Sequence, residues 1–137
     1  MIEEFVKSWD KYKHRLEEYY RQTNLCKLSR YENIVTAVFD QVINPGCDGF
    51  GEFDTDKMVV IDNGDFQGTM LYILHRDFYQ PTVENYVYTH NYYGSCSGCD
   101  TLLGICGYGD GLPDSNQVAE LMTLSLHILQ RAKYLQR

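Results

Sequence analysis

The sequence predicts an α+β fold, in which a small three-stranded antiparallel meander packs against two N-terminal helices and one long C-terminal helix. Apolar residues recur every three or four positions near both ends of the chain, as they do along amphipathic helices. Between residues 57 and 93 the apolar period is two, as it is along half-buried strands. The 137 residues suit a single domain, with a helical part over 1–56 and the meander, a cysteine-containing turn and the last helix over 57–137.

The N-terminal part is predicted to contain two helices. The first covers residues 2–20, where apolar side chains and charges alternate at helical spacing. The second begins after Ser29, which has the spacing of a capping box with Glu32. It is expected to end at 44–46, because Pro45 cannot continue the helical hydrogen bonds. The predicted buried face of this helix consists of Ile34, Val35, Val38, Phe39, Val42 and Ile43.

The meander is predicted from the change of period after residue 56. The first strand, 57–62, precedes Asn63-Gly64, a pair typical of two-residue hairpin turns because both positions accept positive φ. The return strand is predicted over 65–75 and the third strand over 85–93. One face of the third strand is expected to pack on helices and the other to line a groove or a partner surface. One of the two faces consists of Tyr86, Tyr88, His90 and Tyr92, and the other of Val87, Thr89, Asn91 and Tyr93. The sequence does not indicate which of them is covered.

Two aspartates mark the starts of the remaining helices. Asp100 is predicted to cap a short helix over 101–106 with its side chain. Asp114 and Gln117 have the spacing of a second capping box. The amphipathic pattern that follows extends to about Leu135, so the last helix is expected to end there.

The negative charge of the chain is concentrated in its middle. The net charge is −7, and residues 40–114 contain twelve Asp and Glu against two Lys and Arg. Such a region favours cationic partners, and direct binding to nucleic acid is not expected. The acidic stretch 48–56 lacks the pattern of a calcium loop and is interpreted as a solvated loop.

The sequence predicts a soluble, cytoplasmic protein with no membrane contact. The first residues are charged every few positions, and the longest apolar runs, 58–61 and 70–74, are too short to cross a bilayer of about 30 Å. The five cysteines are an odd number, and a reducing compartment keeps thiols free. Cys26, Cys47 and Cys106 are therefore interpreted as small buried apolar residues.

The segment YYGSCSGCDTLLGIC, residues 92–106, allows three interpretations. Cys96 and Cys99 form a C-x-x-C pair, which is typical of redox-active thiols or of half a zinc site. Tetrahedral zinc needs two further ligands, which could be any of Cys47, His90, Cys106 and His127. The third interpretation, which we favour, is a tight turn in which Gly94 and Gly98 supply backbone angles that other residues resist. No cofactor is expected in that case.

The same turn is a candidate ligand site. Successive backbone amides between Gly94 and Thr101 could bind an anion such as a carboxylate or a phosphate. Gly68, in the neighbouring strand, either marks a β-bulge or lets a ligand or another backbone come close. The expected wall of this pocket consists of Phe66, Tyr86, Tyr88 and Tyr92. The candidate ligand-binding residues are Gln67, Thr69, Tyr86, Tyr88, Tyr92, Ser95, Ser97, Gly98 and Asp100.

Three segments, GDFQGTMLYIL, YVYTHNYYGSCSGCDTLLGI and LMTLSLHILQRAKYL, resemble a family of small uncharacterised proteins of bacteriophages, prophages and large DNA viruses. The shared pattern is D-[FY]-Q-G-T, then Y-G-S-C-S-G-C-D-T-L, then a terminal amphipathic helix. It covers about residues 57–137. The resemblance implies a viral setting inside a host cell and no particular reaction. It also implies an accessory or host-modulating role of the anti-defence type.

The leading hypothesis is a non-enzymatic binding protein whose acidic central region contacts a basic surface on a protein partner. One alternative is a small zinc-binding or thiol-dependent enzyme centred on Cys96 and Cys99. A cysteine nucleophile would need a histidine base, but the sequence ties no histidine to the cysteine segment. The other alternative is a protein that binds a small anionic ligand at 94–101.

Overall fold

The computed structural model describes residues 2–49 and 51–136. Within these residues the helices are α1 (Glu3–Arg21), α2 (Leu25–Leu28), α3 (Tyr31–Val38), α4 (Thr101–Cys106) and α5 (Ser115–Arg131). The strands are β1 (Val59–Asp62), β2 (Gly68–His75), β3 (Tyr86–Tyr93) and β4 (Lys133–Tyr134). A π-helical turn, Phe39–Ile43, extends α3, and short 3₁₀ turns occupy Asn44–Cys47, Thr55–Lys57 and Val83–Asn85. Helices together with an antiparallel sheet confirm the predicted α+β class.

The strands lie in the order β1-β2-β3-β4, and all neighbours are antiparallel. The first three form the predicted meander, whereas the sequence pattern did not reveal β4. The last helix ends at Arg131 rather than near Leu135, because Ala132 is buried with extended backbone angles. This bend places Lys133 and Tyr134 on the free edge of β3, and the predicted count of three strands becomes four in the described part of the chain.

The predicted first helix is confirmed as α1, and a buried hydrogen bond joins it to the last helix. Phe5, Trp9, Leu16 and Tyr20 form its buried face. The Tyr20 hydroxyl lies 2.6 Å from Ser125 Oγ, at the centre of α5. Two buried hydroxyls that bond each other avoid the free-energy cost of burying an unpaired polar group.

One face of the sheet packs on the helices, as predicted for the third strand. Val87, Thr89 and Asn91 are each at most 1% exposed. Thr89 Oγ1 donates a 2.7 Å hydrogen bond to the carbonyl of Ile128 in α5. The Asn91 side chain accepts a hydrogen bond from the hydroxyl of Tyr72 on β2. The polar side chains on this buried face of β3 are therefore paired.

The aromatic core joins α1 to the end of the second predicted helix and to the loop before β1. Phe5, Phe39 and Phe53 contact one another edge to face, with ring centroids 5.4 to 6.0 Å apart. Asn44 fixes the same loop, because its side-chain amide bonds both the N–H and the carbonyl of Phe53, at 2.7 and 2.9 Å. The six residues predicted for the buried face of this helix are all buried as expected. They are Ile34, Val35, Val38, Phe39, Val42 and Ile43.

The predicted capping box at Ser29 and Glu32 is wrong. The Ser29 hydroxyl instead donates a 2.9 Å hydrogen bond to the carbonyl of Cys26, because Ser29 ends the short helix α2. Arg30 is the residue that precedes α3, and its guanidinium pairs with Glu32. The sequence pattern did not reveal α2, which has only four residues.

The turn between β1 and β2 is longer than the predicted two-residue turn. β1 ends at Asp62 and β2 begins at Gly68, and neither Asn63 nor Gly64 has a positive φ. The Asn63 side chain closes the loop by accepting a 2.8 Å hydrogen bond from the Thr69 amide. A Cβ on Gly68 would lie 2.9 Å from Gly64 Cα, so this glycine permits two backbones to approach. Its continuous pairing with β3 excludes a bulge there.

The three cysteines outside the C-x-x-C pair differ in burial. Cys106 is buried as predicted, whereas Cys26 is exposed and Cys47 is half-buried. The prediction that all three are buried is therefore wrong for Cys26, because the side of the short helix α2 that carries it faces solvent. No helix within residues 2–49 and 51–136 is long and apolar enough to cross a membrane.

We expect Asn44→Ala to lower the free energy of unfolding by about 2 kcal/mol, because it leaves the buried N–H and carbonyl of Phe53 without their partners. Chemical denaturation monitored by circular dichroism measures this change. Asn33→Ala is the matched control, since Asn33 makes an exposed hydrogen bond to the Lys27 carbonyl. Equal stabilities of the two variants would contradict the assigned role of Asn44.

Candidate functional site

A buried aspartate organises the cysteine turn, residues 94–99. Asp100 caps α4 as predicted, because its Oδ1 accepts a 3.0 Å hydrogen bond from the Leu103 amide. The same oxygen accepts a 2.9 Å bond from the hydroxyl of Tyr31 in α3. Its Oδ2 accepts a 3.0 Å bond from the Gly94 amide, at the end of β3. One carboxylate, 8% exposed, thus connects three elements of the fold.

Tyr31 extends this network to the first turn of α4. Its hydroxyl accepts a 3.1 Å hydrogen bond from the Leu102 amide while it donates to Asp100. Burial raises the pKa of the Tyr31 hydroxyl well above its usual range, and the hydrogen bond to Asp100 raises it further. The hydroxyl therefore stays protonated and donates throughout the physiological pH range.

Two close backbone approaches determine the shape of the cysteine turn. A Cβ on Gly94 would lie 2.6 Å from the Cys99 carbonyl oxygen and 2.8 Å from its sulfur. A Cβ on Gly104, in α4, would lie 2.8 Å from the carbonyl oxygen of Ser97. Gly98 faces open space, and neither Gly94 nor Gly98 has a positive φ. The expectation that both supply unusual backbone angles is therefore wrong, and Gly94 is required for space instead.

The two sulfur atoms of the C-x-x-C pair lie together at the surface. Cys96 and Cys99 are both exposed, and their Sγ atoms are 2.7 Å apart. The Cys96 amide donates a 3.0 Å hydrogen bond to Cys99 Sγ, and Ser95 Oγ lies 4.0 Å from the same sulfur. The sulfurs therefore share an open site and do not point into the core.

The surroundings of Cys99 favour its thiolate. The Cys96 thiol holds the pKa of the Cys99 thiol below its ordinary value by hydrogen bonding to the sulfur, and the Cys96 amide adds a second bond. Burial, in contrast, raises the pKa of the Cys106 thiol to about 11. Because the thiolate is the nucleophilic form of cysteine, Cys99 is the more reactive of these two residues.

A cavity of about 520 Å³ opens beside these sulfurs, between the cysteine turn and α5. We call it the cysteine pocket. It brings His127 to the same cavity as Cys99, a relation that the sequence did not indicate. Ile105 and Leu124 supply apolar wall, and Glu120 supplies a carboxylate. Ser97, Gly98 and Cys99 of the cysteine turn line the pocket, together with Asp100 and Thr101, which follow the turn.

A second groove, of about 340 Å³, lies on the other side of Asp100. Tyr31 and Leu103 line it together with Met70 and Tyr93 from the sheet. Asp100 is thus part of both cavities.

The amides of the cysteine turn are partly used inside the protein. The Gly94 amide donates to Asp100, and the Cys96 amide donates to the sulfur of Cys99. The amides of Cys99 and Asp100 both donate to the Cys96 carbonyl. Two carboxylates, those of Asp100 and Glu120, also line the cavity. Because like charges repel, this arrangement disfavours a bound anion at the turn.

The structure separates the predicted ligand-binding residues into three places. Ser97, Gly98 and Asp100 line the cysteine pocket, and Ser95 lies beside Cys99. Gln67 and Phe66 lie in the exposed loop between β1 and β2, where Phe66 is 81% exposed. The remaining residues lie on the sheet face turned away from the helices, so the expected aromatic wall is not part of this pocket. They are Thr69, Tyr86, Tyr88 and Tyr92.

That sheet face, which we call the outer face, carries mostly apolar side chains. Val59 and Ile61 are 51% and 46% exposed, whereas Val60 between them packs against the core. Tyr92 is 66% exposed, and burial lowers the pKa of His90, with Arg131 and Lys133 lowering it further. The strand register pairs Val59 with Ile73, Ile61 with Leu71 and Leu71 with His90 across this face. The outer face consists of Val59, Ile61, Thr69, Leu71, Ile73, His75, Tyr86, Tyr88, His90, Tyr92 and, at its β4 edge, the exposed Lys133.

Exposed carboxylates flank the sheet at both ends of its strands. Asp56 precedes β1, Asp77 follows β2 and Glu84 precedes β3, all at one end. Asp65 lies in the loop between β1 and β2, at the opposite end. One end of the outer face therefore has three exposed carboxylates beside the exposed Lys57, which pairs with Asp54, and the other end has one; we call these two ends the acidic margins.

Arg76, one of the two cations in the acidic middle of the chain, is used inside the fold. Its guanidinium donates to the Gly51 carbonyl at 2.6 Å and to the Tyr134 hydroxyl at 3.0 Å. It also lies 4.6 Å from the ring centroid of Phe53. Because the side chain is only 18% exposed, it presents little positive surface to a partner.

The described residues contain no preformed metal site. No group of three or more His, Cys, Asp or Glu within 2–49 and 51–136 lies close enough to hold a metal ion. Of the candidate zinc ligands, Cys106 is buried in the core and His90 lies on the outer face of the sheet. His127 lines the cysteine pocket.

Sequence reasoning missed Tyr31 and Gly104 as parts of the site, and it named His127 only as one possible zinc ligand. An isolated glycine within a helical pattern is a signal for close packing, so Gly104 was detectable. Tyr31 and Asp100 are 69 residues apart, and no local pattern predicts their contact. His127 shares a cavity with Cys99 only because α5 packs on α4.

We expect Gly94→Ala to lower the free energy of unfolding by about 2 kcal/mol, because the new Cβ overlaps the backbone and the sulfur of Cys99. Thermal and chemical denaturation measure this change. Gly98→Ala is the matched control, since nothing lies within 4 Å of the added Cβ. If Gly98→Ala were the more destabilising of the two, the packing described for the cysteine turn would be incorrect.

We expect Asp100→Ala to lower the free energy of unfolding by about 3 kcal/mol, because it removes a helix cap and leaves the Tyr31 hydroxyl and the Gly94 amide without an acceptor. Asp110→Ala, at an exposed loop position, is the control. A loss no larger than that of the control would show that the network around Asp100 does not stabilise the fold.

Comparison with known proteins gives no relative from which a function could be transferred. No protein-family model, curated protein or solved structure matches the chain. The resemblance to small viral proteins therefore stays a prediction from the three quoted segments.

Proposed function

We propose that the protein is a non-enzymatic binding protein that holds a protein partner on the outer face of its sheet. The observation that carries the proposal is the exposure of Val59 and Ile61 on β1 and of Tyr92 on β3, all on that face. The half-buried Leu71 and Ile73 of β2 lie between the two strands and continue the apolar surface. Extended apolar patches on soluble proteins mark interaction sites, because their exposure to water is unfavourable. A partner that covers this face removes apolar surface from water on both molecules.

The partner surface that fits best combines apolar and basic side chains. Aliphatic or aromatic groups match Val59, Ile61 and Tyr92, and lysines or arginines at both ends match the acidic margins. Aromatic residues such as Tyr92 commonly contribute most of the free energy at the centre of an interface. The carboxylates at the margins mainly accelerate association and select the partner by charge.

A second copy of the chain is a poorer fit for the same face. Two copies would bring together surfaces that each carry carboxylates at both ends, and each chain has a net charge of −7. Like charges that face each other oppose association unless cations lie between them. We therefore assign the face to a different protein with a basic surface.

The proposed setting is a virus-infected host cell. The support for it is the resemblance of residues 57–137 to small proteins of phages and large DNA viruses. In that setting the protein acts in the cytoplasm as an accessory factor of the anti-defence type. The described cysteines are all free, which is compatible with a reducing compartment.

A peptide-display selection on the purified protein tests the chemistry of the partner. Selected peptides are expected to contain apolar residues flanked by lysine or arginine. Ile61→Lys should weaken the best peptide at least tenfold, since loss of a central apolar contact is worth about 1.4 kcal/mol or more. Leu112→Lys is the matched control, because Leu112 is also exposed, at 60%, but lies in the loop before α5.

Charge reversal tests the acidic margins separately. The double variant Asp56→Lys and Glu84→Lys should weaken the peptide in dilute buffer, and the difference should vanish at about 1 M salt, where the Debye length is about 3 Å. Asp10→Lys, on the exposed face of α1, is the control. Asp62 is not suitable, since it accepts a structural hydrogen bond from Tyr93.

Three outcomes would overturn the proposal. The first is selection of acidic or uncharged peptides. The second is equal binding by the Ile61 and Leu112 variants. The third is a concentration-dependent dimer in sedimentation analysis that Ile61→Lys dissociates, which would assign the outer face to a second copy.

A further inference from the structure

The cysteine pocket is not used by the proposed binding function, and Cys99 of the C-x-x-C pair lines it. Cys96 and Cys99 are exposed, and their sulfurs are already in contact at 2.7 Å. A disulfide bond requires about 2.05 Å between the two sulfurs, so its formation needs only a small movement of the turn. The described structure thus holds two thiols that are poised to form one bond.

We propose that Cys96 and Cys99 are a redox-active dithiol that reduces a low-molecular-weight disulfide bound in the cysteine pocket. The cavity of about 520 Å³ lies within the size range of small-molecule sites. Cys99 lines this cavity with Ser97 and Gly98, and Ile105 and Leu124 supply its apolar wall. The proposal does not depend on the outer face, since it uses different residues and a different ligand.

The reaction proceeds in two exchanges that balance in atoms and electrons. The Cys99 thiolate attacks one sulfur of the bound disulfide, forms a mixed disulfide and releases the first thiolate of the ligand. The Cys96 thiol then loses its proton to solvent and attacks Cys99 Sγ, which releases the second thiolate. Two electrons pass from the protein dithiol to the ligand. The products are a Cys96–Cys99 disulfide and two ligand thiols.

The roles of the two cysteines follow from their hydrogen bonds. The Cys99 sulfur accepts a 3.0 Å hydrogen bond from the Cys96 amide and lies 2.7 Å from the Cys96 sulfur, and these contacts hold the pKa of the Cys99 thiol below its ordinary value. Cys99 is therefore assigned as the attacking group. Cys96 is the resolving group, because its sulfur is the one in contact with Cys99. The Asp100 bonds to Tyr31 and Gly94 hold the ends of the turn in place during the exchange.

Reaction with the uncharged 2-hydroxyethyl disulfide, followed by mass spectrometry, tests this assignment, because the carboxylates of Asp100 and Glu120 disfavour an anionic disulfide. The wild-type protein should form a Cys96–Cys99 disulfide and retain no mercaptoethanol on either of these cysteines. Cys96→Ser should retain mercaptoethanol on Cys99, because no resolving thiol is present. Cys99→Ser should react at least tenfold more slowly, at a rate near that of the exposed Cys26. Cys26→Ser is the control and should behave as the wild type.

A pair of variants at position 96 tests the hydrogen bond that activates Cys99. Cys96→Ser keeps a donor beside the Cys99 sulfur, whereas Cys96→Ala removes it. The pH profile for alkylation of Cys99 by iodoacetamide should therefore move to higher pH in Cys96→Ala relative to Cys96→Ser. Cys96 is exposed, so neither substitution should alter the thermal unfolding temperature appreciably.

Thr123→Trp tests whether the cysteine pocket binds the disulfide, because Thr123 is exposed and lines the pocket. The larger side chain should slow the reaction with 2-hydroxyethyl disulfide at least fivefold and leave alkylation by the smaller iodoacetamide unchanged. An unchanged rate with 2-hydroxyethyl disulfide would overturn the assignment of the pocket. The redox assignment itself is overturned if Cys99 reacts no faster than Cys26, or if Cys96→Ser retains no mercaptoethanol on Cys99.

Discussion

The buried carboxylate of Asp100 is the interaction on which the cysteine turn depends. A carboxylate taken out of water is unfavourable unless hydrogen-bond donors replace its hydration. Here the donors come from Tyr31, Gly94 and Leu103, which belong to α3, the end of β3 and α4. The requirement for three partners makes these elements meet in one arrangement, and the cysteine pair is held in the loop that they enclose.

The inner face of the sheet stabilises the fold, and the outer face is the one that we propose binds a partner. The inner face buries Thr89 and Asn91 with paired hydrogen bonds and packs on α5. The outer face keeps Val59, Ile61 and Tyr92 in water, at a cost in free energy that a partner can recover. Arg76 is engaged with Gly51 and Tyr134, so the acidic margins keep their charge available for a partner.

The sequence allowed correct prediction of features that depend on neighbouring residues. The amphipathic faces of α1 and α5 and the caps at Asp100 and Asp114 follow from local spacing. The predictions of a capping box at Ser29 and of a tight turn at Asn63 were wrong. The Ser29 hydroxyl bonds the carbonyl of Cys26 in α2, and the Asn63 side chain closes a longer loop by bonding the Thr69 amide. The contact of Tyr31 with Asp100 could not be predicted, since it depends on how distant elements pack.

Asp100 borders both the cysteine pocket and the groove lined by Tyr31 and Tyr93, so one carboxylate is shared by the two cavities. A molecule in one cavity that draws the carboxylate toward itself weakens the bonds to Tyr31 and Gly94 that shape the other. Thermodynamic linkage requires the same penalty in the opposite direction. A compound that occupies the groove could therefore act as an effector of thiol chemistry without touching either sulfur.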